Sequence, residues 1–261
     1  MKAHLVLIAG LLSSVSFAAV KNICTEKGDT RVASFEPQIA RSTDSKFFAT
    51  CTITMISRSC AISAGHCNAS LSLASFNIRT SSAGGAYNID LEDMYLKDPS
   101  YLKYESNGSG NDWAVFRLAP NFITQKLPGE AQGYLEVRFA DKTKVGEKVK
   151  ITGYGNDDTL ETNISQQTAV GSISKIGGLL NPSAKIIHSV DTMGGNSGSA
   201  IISLNDNKVI GIHSHGACSW PKANANENSG TIISRNSNFK AAIKSCLKLE
   251  KEELDGNTQS N

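Results

Sequence analysis

The sequence predicts an all-β protein with one amphipathic helix near its C-terminus. Short runs of β-forming residues recur along most of the chain, and clusters of Gly, Asn, Asp and Ser separate them. This spacing is typical of an all-β barrel or sandwich. A helical repeat of apolar residues occurs only after residue 237. Hydrophobic residues make up 40% of the 261 positions, so the chain can bury a core of ordinary size.

The first 18 residues are typical of a secretory signal peptide. Lys2 precedes an apolar run over residues 5–12, and the small residues Ser16 and Ala18 suit cleavage after Ala18. The run is shorter than the roughly 20 apolar residues that a membrane-spanning helix needs. We therefore expect an exported protein, secreted or periplasmic, that comprises residues 19–261 and has no membrane contact once the signal is removed.

The predicted strands follow a polar N-terminal stretch. Residues 20–50 are weakly patterned, which indicates an extended arm. Two β-forming runs on either side of Ser57-Arg58-Ser59 predict a hairpin. The strand-like runs are residues 51–56, 61–63, 76–79, 87–91, 113–118, 134–139, 148–153, 168–173 and 185–190. Residues 121–133, which contain Pro128 and Gly129, are expected to cross between two halves of the fold.

The C-terminal segment predicts a helix from about residue 238 to 253. Ser237 or Asn238 can cap its first turn. Its apolar stripe consists of Phe239, Ala242, Ile243, Cys246, Leu247 and Leu249. Residues 255–261 are polar, and we expect this tail to be disordered.

Charge and cysteine content narrow the possible functions. Twenty-six Lys and Arg residues against 24 Asp and Glu residues give a net charge of +2. This balance argues against a dedicated binder of nucleic acid or of a membrane surface. Six cysteines without a CxxC pair favour disulfides in an exported chain. Six cysteines allow 15 pairings, and their spacing alone leaves the pairing open.

The stretch Asp191-Thr192-Met193-Gly194-Gly195-Asn196-Ser197-Gly198-Ser199 suits a nucleophile in a glycine-rich turn. Small neighbours expose the Ser197 hydroxyl and allow backbone N–H groups to point at the same spot. An acyl-transfer enzyme stabilises the oxyanion on the attacked carbonyl in this way. A plain glycine- and serine-rich turn would give the same pattern, so the hypothesis needs a base and an acid elsewhere in the chain.

His66 and Asp112 are the candidate base and acid. His66 follows a predicted strand among small residues, and Asp112 directly precedes the apolar run 113–118. The order His66, Asp112, Ser197 is one in which a Ser-His-Asp triad occurs. The α/β-hydrolases have the order Ser, Asp, His and a G-x-S-x-G motif. This chain does not have that order, and it lacks the motif because Ser199 occupies the place of the final glycine.

Four motifs resemble those of the chymotrypsin-fold serine peptidases, and most closely the bacterial glutamyl endopeptidase-like enzymes. They are Ser63-Ala64-Gly65-His66-Cys67, Asp112-Trp113-Ala114-Val115, Gly194-Gly195-Asn196-Ser197-Gly198-Ser199 and Val209-Ile210-Gly211-Ile212-His213-Ser214. The resemblance extends over residues 51–244. It implies two six-stranded antiparallel β-barrels, over about 30–122 and about 134–236, with a triad of His66, Asp112 and Ser197 between them. It also implies an oxyanion hole formed by the N–H groups of Gly195 and Ser197.

The resemblance further implies how the cysteines pair. In the family, the cysteine after the catalytic histidine commonly pairs with one on the preceding strand, which gives Cys51–Cys67. The C-terminal helix of relatives packs on the first barrel, which suits Cys60–Cys246. Cys24–Cys218 is the pair that then remains.

Asn196 departs from the family pattern. Chymotrypsin-like zymogens carry Asp immediately before the serine to receive a freed N-terminal ammonium, so the resemblance implies that this switch is missing. A cut between Arg31 and Val32 is conceivable, but the residues that follow do not match the usual new N-terminus. We expect the mature N-terminus to come from signal removal, near Ala19 or Val20.

The resemblance places a substrate pocket around Asp191, Thr192, His213, Ser214, Gly216 and Gly230. The two glycines have no side chain to block its entrance. His213 and Thr192 match positions that bind a substrate carboxylate in glutamyl endopeptidases, and a charged imidazole would strengthen those hydrogen bonds. Asp191 matches the position at which trypsin binds Arg or Lys. It would repel a substrate glutamate unless it points away or pairs with His213, so both specificities stay open.

A zinc site is an alternative interpretation of part of this region. A strand sends alternate residues to one face, so His213 and His215 could bind a metal together with Cys218. A fourth ligand is not evident, and the sequence has no obvious carboxylate cage for calcium. We expect no metal and no cofactor.

The sequence therefore predicts an exported, monomeric serine endopeptidase that cleaves protein or peptide substrates after Glu or Asp through an acyl-enzyme. Cleavage after Arg or Lys through Asp191 is the alternative specificity. A rival of another class is an inactive relative that binds a partner through the same cleft.

Overall fold

The computed structural model describes residues 21–24, 28–44, 49–78, 89–157, 165–178, 181–218 and 227–258. The predicted signal peptide and residues 259–261 of the predicted tail lie outside these residues. Within the described ranges, no helix combines the length and the apolar character needed to cross a membrane.

Strands dominate the described chain, and most of them are short. In chain order they are β1 (Lys21–Asn22), β2 (Val32–Ala33), β3 (Ile39–Thr43), β4 (Ala49–Met55), β5 (Cys60–Ser63), β6 (Leu73–Ser75), β7 (Met94–Ser106), β8 (Asp112–Leu118), β9 (Lys148–Gly153), β10 (Gln167–Gly178), β11 (Asn181–His188), β12 (Thr192–Met193), β13 (Ala200–Ser203), β14 (Val209–His215) and β15 (Asn228–Ile232). The α-helices are α1 (Pro128–Gln132) and α2 (Ser237–Thr258), and 3-10 helices span Gly65–Ser70 and Leu91–Asp93.

The first barrel is closed by six antiparallel strands in the order β3-β4-β5-β8-β7-β6, and β6 pairs back onto β3. Its buried residues include Ile53, Val115 and Phe116, which are β-branched or aromatic and suit a packed, pleated surface. The predicted hairpin is confirmed, since β4 pairs with β5. Strand β5 also pairs with β8, with Ser63 opposite Ala114. This pairing brings the end of β5 next to the start of β8.

The second barrel contains β9, β10, β11, β13, β14 and β15. They follow the order β11-β15-β14-β13-β9-β10, and β10 pairs with β11 to close the ring. Val149, Ile151, Ile186 and Ile201 are among the aliphatic residues of its core. Strand β2 adds to β10, and β1 pairs with β12. Two closed six-stranded barrels are thus confirmed.

Three disulfides connect the parts of the fold. They are Cys51–Cys67, Cys60–Cys246 and Cys24–Cys218, which is the pairing implied by the resemblance. The second of them fixes α2 to the first barrel, where the rings of Trp113 and Phe239 also stack with centroids 5.1 Å apart. The third ties the N-terminal arm to the segment that follows β14.

Polar contacts hold the far end of α2. One carboxylate oxygen of Glu250 accepts hydrogen bonds from the hydroxyls of Ser57 and Ser59 and from the Ser59 N–H, at 2.8, 2.6 and 2.7 Å. Arg117 binds both carboxylate oxygens of Glu253 at 2.6 Å. Because these anchors lie beyond the apolar stripe, the helix continues to Thr258, and the prediction of a disordered tail is wrong for residues 255–258.

The N-terminal stretch contributes a barrel strand that the sequence did not reveal. Residues 20–50 were expected to form an extended arm, yet all five residues of β3 are buried. Strand β3 lies between β4 and β6, and it buries the polar residues Arg41, Ser42 and Thr43. Only Ile39 and Ala40 of its five buried residues are apolar, so the strand has no alternating hydrophobic pattern to indicate it.

Three other predicted strands differ from the structure. Residues 76–78 follow β6, and Asn77 leaves the extended region with φ 53°. Of the run 87–91, residues 89–90 are irregular and Leu91 begins a 3-10 helix, while 87–88 lie outside the described residues. Residues 134–139 form a single bridge, between Val137 and Val209. The alternation there reflects the packing of Leu135 and its neighbours on the core.

Replacing Glu250 with alanine should lower the free energy of unfolding by about 3 kcal/mol, because it leaves buried donors on Ser57 and Ser59 without their acceptor. Urea unfolding of the purified protein measures this loss. Glu252→Ala is the matched control, since Glu252 is exposed and its ion pair in the described part of the chain is with the exposed Lys248. Equal losses in the two variants would contradict the anchoring role of Glu250.

Candidate active site

His66 and Asp112 meet where β5 ends and β8 begins. The Nδ1 atom of His66 lies 2.6 Å from one carboxylate oxygen of Asp112, and the His66 backbone N–H donates to the other oxygen at 2.9 Å. Asp112 is 1% exposed, whereas the imidazole is 39% exposed. A buried carboxylate that accepts from Nδ1–H fixes the ring's tautomer. The Nε2 lone pair is then available to take a proton.

Gly65 lets the chain pass closely behind His66. A Cβ at this position would lie 1.8 Å from the carbonyl oxygen of Glu105, which no side chain can tolerate. The glycine therefore allows the 3-10 helix that presents His66 to lie directly against β7. Its role is steric rather than conformational.

Ser197 lies in a tight turn between β12 and β13. The turn is closed by hydrogen bonds from Asn196 N–H to the Met193 carbonyl and from Ser199 N–H to the Asn196 carbonyl, both 3.0 Å. Gly195 and Gly198 have φ values of 102° and 88°, which only glycine adopts without strain. The sequence of small residues thus encodes a turn that a bulkier sequence could not form.

The turn is also joined to the first barrel. Thr52 N–H on β4 donates to the Ser197 carbonyl at 2.8 Å. The same carbonyl oxygen lies 4.0 Å from Sγ of Cys67, the residue after His66. Within the ranges that the structure describes, the N–H groups of Gly195 and Ser197 have no hydrogen-bond acceptor. The turn can therefore offer two N–H donors to an oxyanion beside the Ser197 hydroxyl.

Asp191 does not have the surroundings expected of a pocket residue. Its carboxylate is 2% exposed and accepts from Cys24 N–H at 2.7 Å, Thr30 N–H at 3.0 Å and the Thr30 hydroxyl at 2.5 Å. All three donors belong to the N-terminal arm. The expectation that Asp191 contacts substrate is corrected, since a substrate cation would have to displace the arm.

His213 lies inside the second barrel, where it meets a second histidine that the sequence analysis overlooked. His213 is 2% exposed and His188 is fully buried. Nε2 of His188 lies 3.2 Å from Nδ1 of His213, and Nδ1 of His188 accepts from the Val190 N–H at 3.3 Å. His188 ends β11 and had no sequence signal beyond its place in a strand-like run.

Burial keeps both histidines uncharged. It lowers the pKa of His188 to about 3. Burial also lowers the pKa of His213 well below its ordinary value, and His188, His215 and His66 add to this shift because each would repel a charged His213 ring when it is itself protonated. Since Val190 donates to Nδ1 of His188, the neutral ring carries its proton on Nε2 and donates it to Nδ1 of His213. Neutral His213 must then carry its own proton on Nε2.

Thr192 is oriented by Asn228, another residue without a sequence signal. The Asn228 amide donates to the Thr192 hydroxyl oxygen at 3.0 Å and to the Val190 carbonyl at 2.8 Å. Its carbonyl oxygen accepts from the N–H groups of Ala217 and Cys218. Because the Thr192 oxygen accepts this bond, its hydroxyl hydrogen remains available as a donor.

The remaining predicted pocket residues lie on β14, just after it, and on β15. Gly216 is exposed. Gly230 pairs with His213 in the sheet, and a Cβ there would lie 1.8 Å from the Ile212 carbonyl oxygen. The expectation that Gly230 keeps an entrance open is corrected, because close strand approach accounts for this glycine.

His215 is separated from His213 by a shift in strand register. It is exposed, and its Nδ1 lies 2.8 Å from the Ser214 hydroxyl oxygen and 3.8 Å from an Asp112 carboxylate oxygen. Cys218 is bonded to Cys24 and offers no thiolate to a metal. The zinc ligand set considered from the sequence is therefore not assembled.

Two closed six-stranded barrels of this topology define the chymotrypsin fold. The Trypsin family model matches residues 27–243, and the chain belongs to the trypsin family of serine endopeptidases. Among solved structures it is similar to a Glu endopeptidase in complex with MPD. That similarity has a TM-score of 0.61 at 21% identity and covers 84% of this chain and 96% of the other. No curated protein matches the sequence.

Replacing Gly198 with alanine should lower the free energy of unfolding by roughly 3 kcal/mol, from left-handed backbone strain plus overpacking. A Cβ there would lie 2.4 Å from the Thr52 carbonyl oxygen. Gly146 has φ 85° and open space around a Cβ, so Gly146→Ala should cost only about 1 kcal/mol. Urea unfolding compares the two variants. Equal losses of unfolding free energy in Gly198→Ala and Gly146→Ala would contradict the tight packing of the Ser197 turn.

The buried histidine pair should make stability depend on pH. The folded pKa of His188, about 3, is below its unfolded value of 6.5, so the unfolded chain binds more protons between these values. Stability should therefore fall on acidification below pH 6.5, by about 1.4 kcal/mol per pH unit for this group. His188→Gln should flatten the dependence of unfolding free energy on pH between 6.5 and 4. If the unfolding free energy depended on pH equally in wild-type protein and His188→Gln, the lowered pKa of His188 would be contradicted.

Proposed function

We propose that this chain is an exported serine endopeptidase that cleaves after Glu or Asp, with His66, Asp112 and Ser197 as its catalytic triad. Two observations support the triad: the His66–Asp112 contact at 2.6 Å, and the Gly195 and Ser197 N–H groups, which have no acceptor among the described residues. The observation that supports acidic specificity is a neutral, buried His213 whose Nδ1 faces His188.

In the proposed mechanism, the Ser197 hydroxyl oxygen attacks the substrate carbonyl while Nε2 of His66 accepts its proton. The Asp112 carboxylate stabilises the imidazolium that results. The N–H groups of Gly195 and Ser197 donate to the developing oxyanion. His66 then protonates the leaving amine, and a water activated by the same imidazole hydrolyses the acyl-enzyme.

In the proposed pocket, a substrate carboxylate accepts from Nε2–H of His213 and from the Thr192 hydroxyl. The donor from His213 persists at neutral pH because His188 occupies its other nitrogen as a donor. Hydrogen bonds to a charged partner are stronger than neutral ones, typically 1.5–3 kcal/mol. Asp191 favours this specificity over the basic alternative, because its carboxylate already accepts from the arm.

Export and a mature N-terminus near Ala19 or Val20 complete the proposal. The three disulfides suit an oxidising compartment. The backbone of Asn22 pairs with Thr192, so a chain that begins just before β1 would start close to the proposed pocket. We further propose that the enzyme is a monomer that acts on protein or peptide substrates.

A fluorophosphonate probe tests the nucleophile, because it reacts with an activated serine. The exported protein should be labelled at pH 8, and Ser197→Ala should abolish the label. Ser199→Ala is the matched control, since Ser199 lies in the same turn but is fully buried. Absence of labelling in the folded wild-type protein would favour a binding module over an enzyme.

Cleavage-site profiling with peptides that differ only in Glu or Gln before the cleaved bond tests the specificity. Wild-type protein should prefer Glu, and His213→Val should lower that preference at least tenfold, as loss of one charge-assisted hydrogen bond predicts. Asp191→Asn should retain the preference. Cleavage after Arg or Lys that is lost in Asp191→Asn would contradict acidic specificity.

A further inference from the structure

His215 lies beside the proposed triad, but the proposed mechanism does not use it. It is the last residue of β14, and its ring centroid is 5.9 Å from that of His66. Its side chain is 45% exposed, which makes it accessible to a bound peptide. The register shift after His213 separates the two histidines, so one is buried in the barrel and the other faces the cleft beside His66.

The contact with Ser214 allows His215 to offer an N–H donor to the cleft. Ser214 is buried, and its hydroxyl oxygen lies 2.8 Å from Nδ1 of His215. When the hydroxyl donates to Nδ1, the neutral imidazole carries its proton on Nε2. The ring then presents an N–H group to an acceptor in the cleft.

The local charges favour an anion at this position. Lys185 on β11 lies opposite Thr231 in the sheet, and the Thr231 hydroxyl bonds to the backbone of Asp112, so the backbone of this lysine lies near that of Asp112. Burial lowers the pKa of His215, Asp112 opposes that shift, and the positive charges of His66 and Lys185 add to it. Lys185 has no ion-pair partner within the described ranges. The Asp112 carboxylate is buried and bound to His66 by two hydrogen bonds. An exposed anion beside His215 would therefore meet a cation and an N–H donor.

The geometry of an extended substrate indicates which of its residues lies beside His215. An extended peptide directs successive side chains to opposite faces. If the side chain at the cleaved bond enters the pocket of His213, the residue before it points the other way, toward His66 and His215. We infer that His215 and Lys185 form a second acidic subsite, which binds Asp or Glu immediately before the residue whose carbonyl is attacked. This inference rests on the proposed function and narrows its substrate class to paired acidic residues.

Four matched peptides test the inference through kcat/KM, with Glu-Glu, Gln-Glu, Glu-Gln or Gln-Gln before the cleaved bond. Wild-type protein should cleave Glu-Glu about fivefold faster than Gln-Glu, the scale of a partly exposed charge pair. His215→Gln and Lys185→Gln should each bring this ratio toward one. The ratio of Gln-Glu to Gln-Gln should stay unchanged in both variants.

Lys148→Gln is the control, because it removes the same charge at the exposed start of β9. The other end of that strand is the one that approaches the cleft, where Tyr154 lies against Gly195. This variant should keep the wild-type preference. A Lys148→Gln ratio that falls as far as that of Lys185→Gln would overturn the subsite, since the effect would then be one of net charge.

Acidification provides a second readout. A bound carboxylate favours protonated His215, so the Glu-Glu to Gln-Glu ratio should rise from pH 8 to pH 6, and titration of His66 cancels in this ratio. The titratable groups near His215 in the described residues include Asp112 at 3.8 Å and His66 with ring centroids 5.9 Å apart, and Lys185 and the buried His213 interact with it electrostatically. A pH-independent ratio would contradict the role of His215.

The outcomes separate this inference from the proposed function. Cleavage after Glu with no preference at the preceding residue, or with a preference that both variants retain, would overturn the second subsite alone. Failure to distinguish Gln-Glu from Gln-Gln would overturn the proposed acidic specificity, and with it the inference. The subsite would be supported if His215→Gln and Lys185→Gln both lose the Glu-Glu preference while Lys148→Gln keeps it.

Discussion

Thr52 joins the two barrels at the turn that holds Ser197. Its N–H donates to the Ser197 carbonyl at 2.8 Å, and its hydroxyl donates to the Gly195 carbonyl at 2.9 Å. The hydroxyl oxygen also accepts from the Tyr154 N–H at 3.0 Å. Because this buried residue fixes two carbonyls of the turn from the opposite barrel, the backbone that carries the candidate oxyanion donors cannot shift independently of the barrel that carries His66.

Burial assigns different roles to the polar residues around this junction. Asp112 and Asp191 are both nearly inaccessible, yet the first accepts from His66 while the second accepts from Thr30 and Cys24 on the arm. A buried carboxylate needs such donors, since an unpaired buried charge is very costly. The buried histidines meet the same constraint by staying neutral, and the resulting chain of hydrogen bonds fixes which nitrogen of His213 is a donor.

The sequence predicted what depends on local composition. The glycine-rich turn, the order of His66, Asp112 and Ser197, and the apolar stripe of α2 are all visible in short segments. The family resemblance also implied the long-range disulfides, but the sequence could not predict polar pairings between distant segments, such as Asp191 with Thr30, 161 residues apart, or His188 with His213. It also missed β3, because two buried apolar residues followed by three buried polar ones leave no alternating hydrophobic period. The sequence also could not show why residue 230 is glycine. The reason is the close approach of the neighbouring strand, which leaves no room for a side chain.

The central claim is that a neutral His188–His213 pair presents a fixed Nε2–H group for acidic recognition. Long-range 1H–15N correlation spectra of the imidazole rings test it most directly, because nitrogen shifts distinguish both tautomers from the imidazolium. The account predicts that both rings are neutral between pH 6 and 8, with the proton on Nε2 of each. An imidazolium at His213, or a proton on its Nδ1, would contradict it.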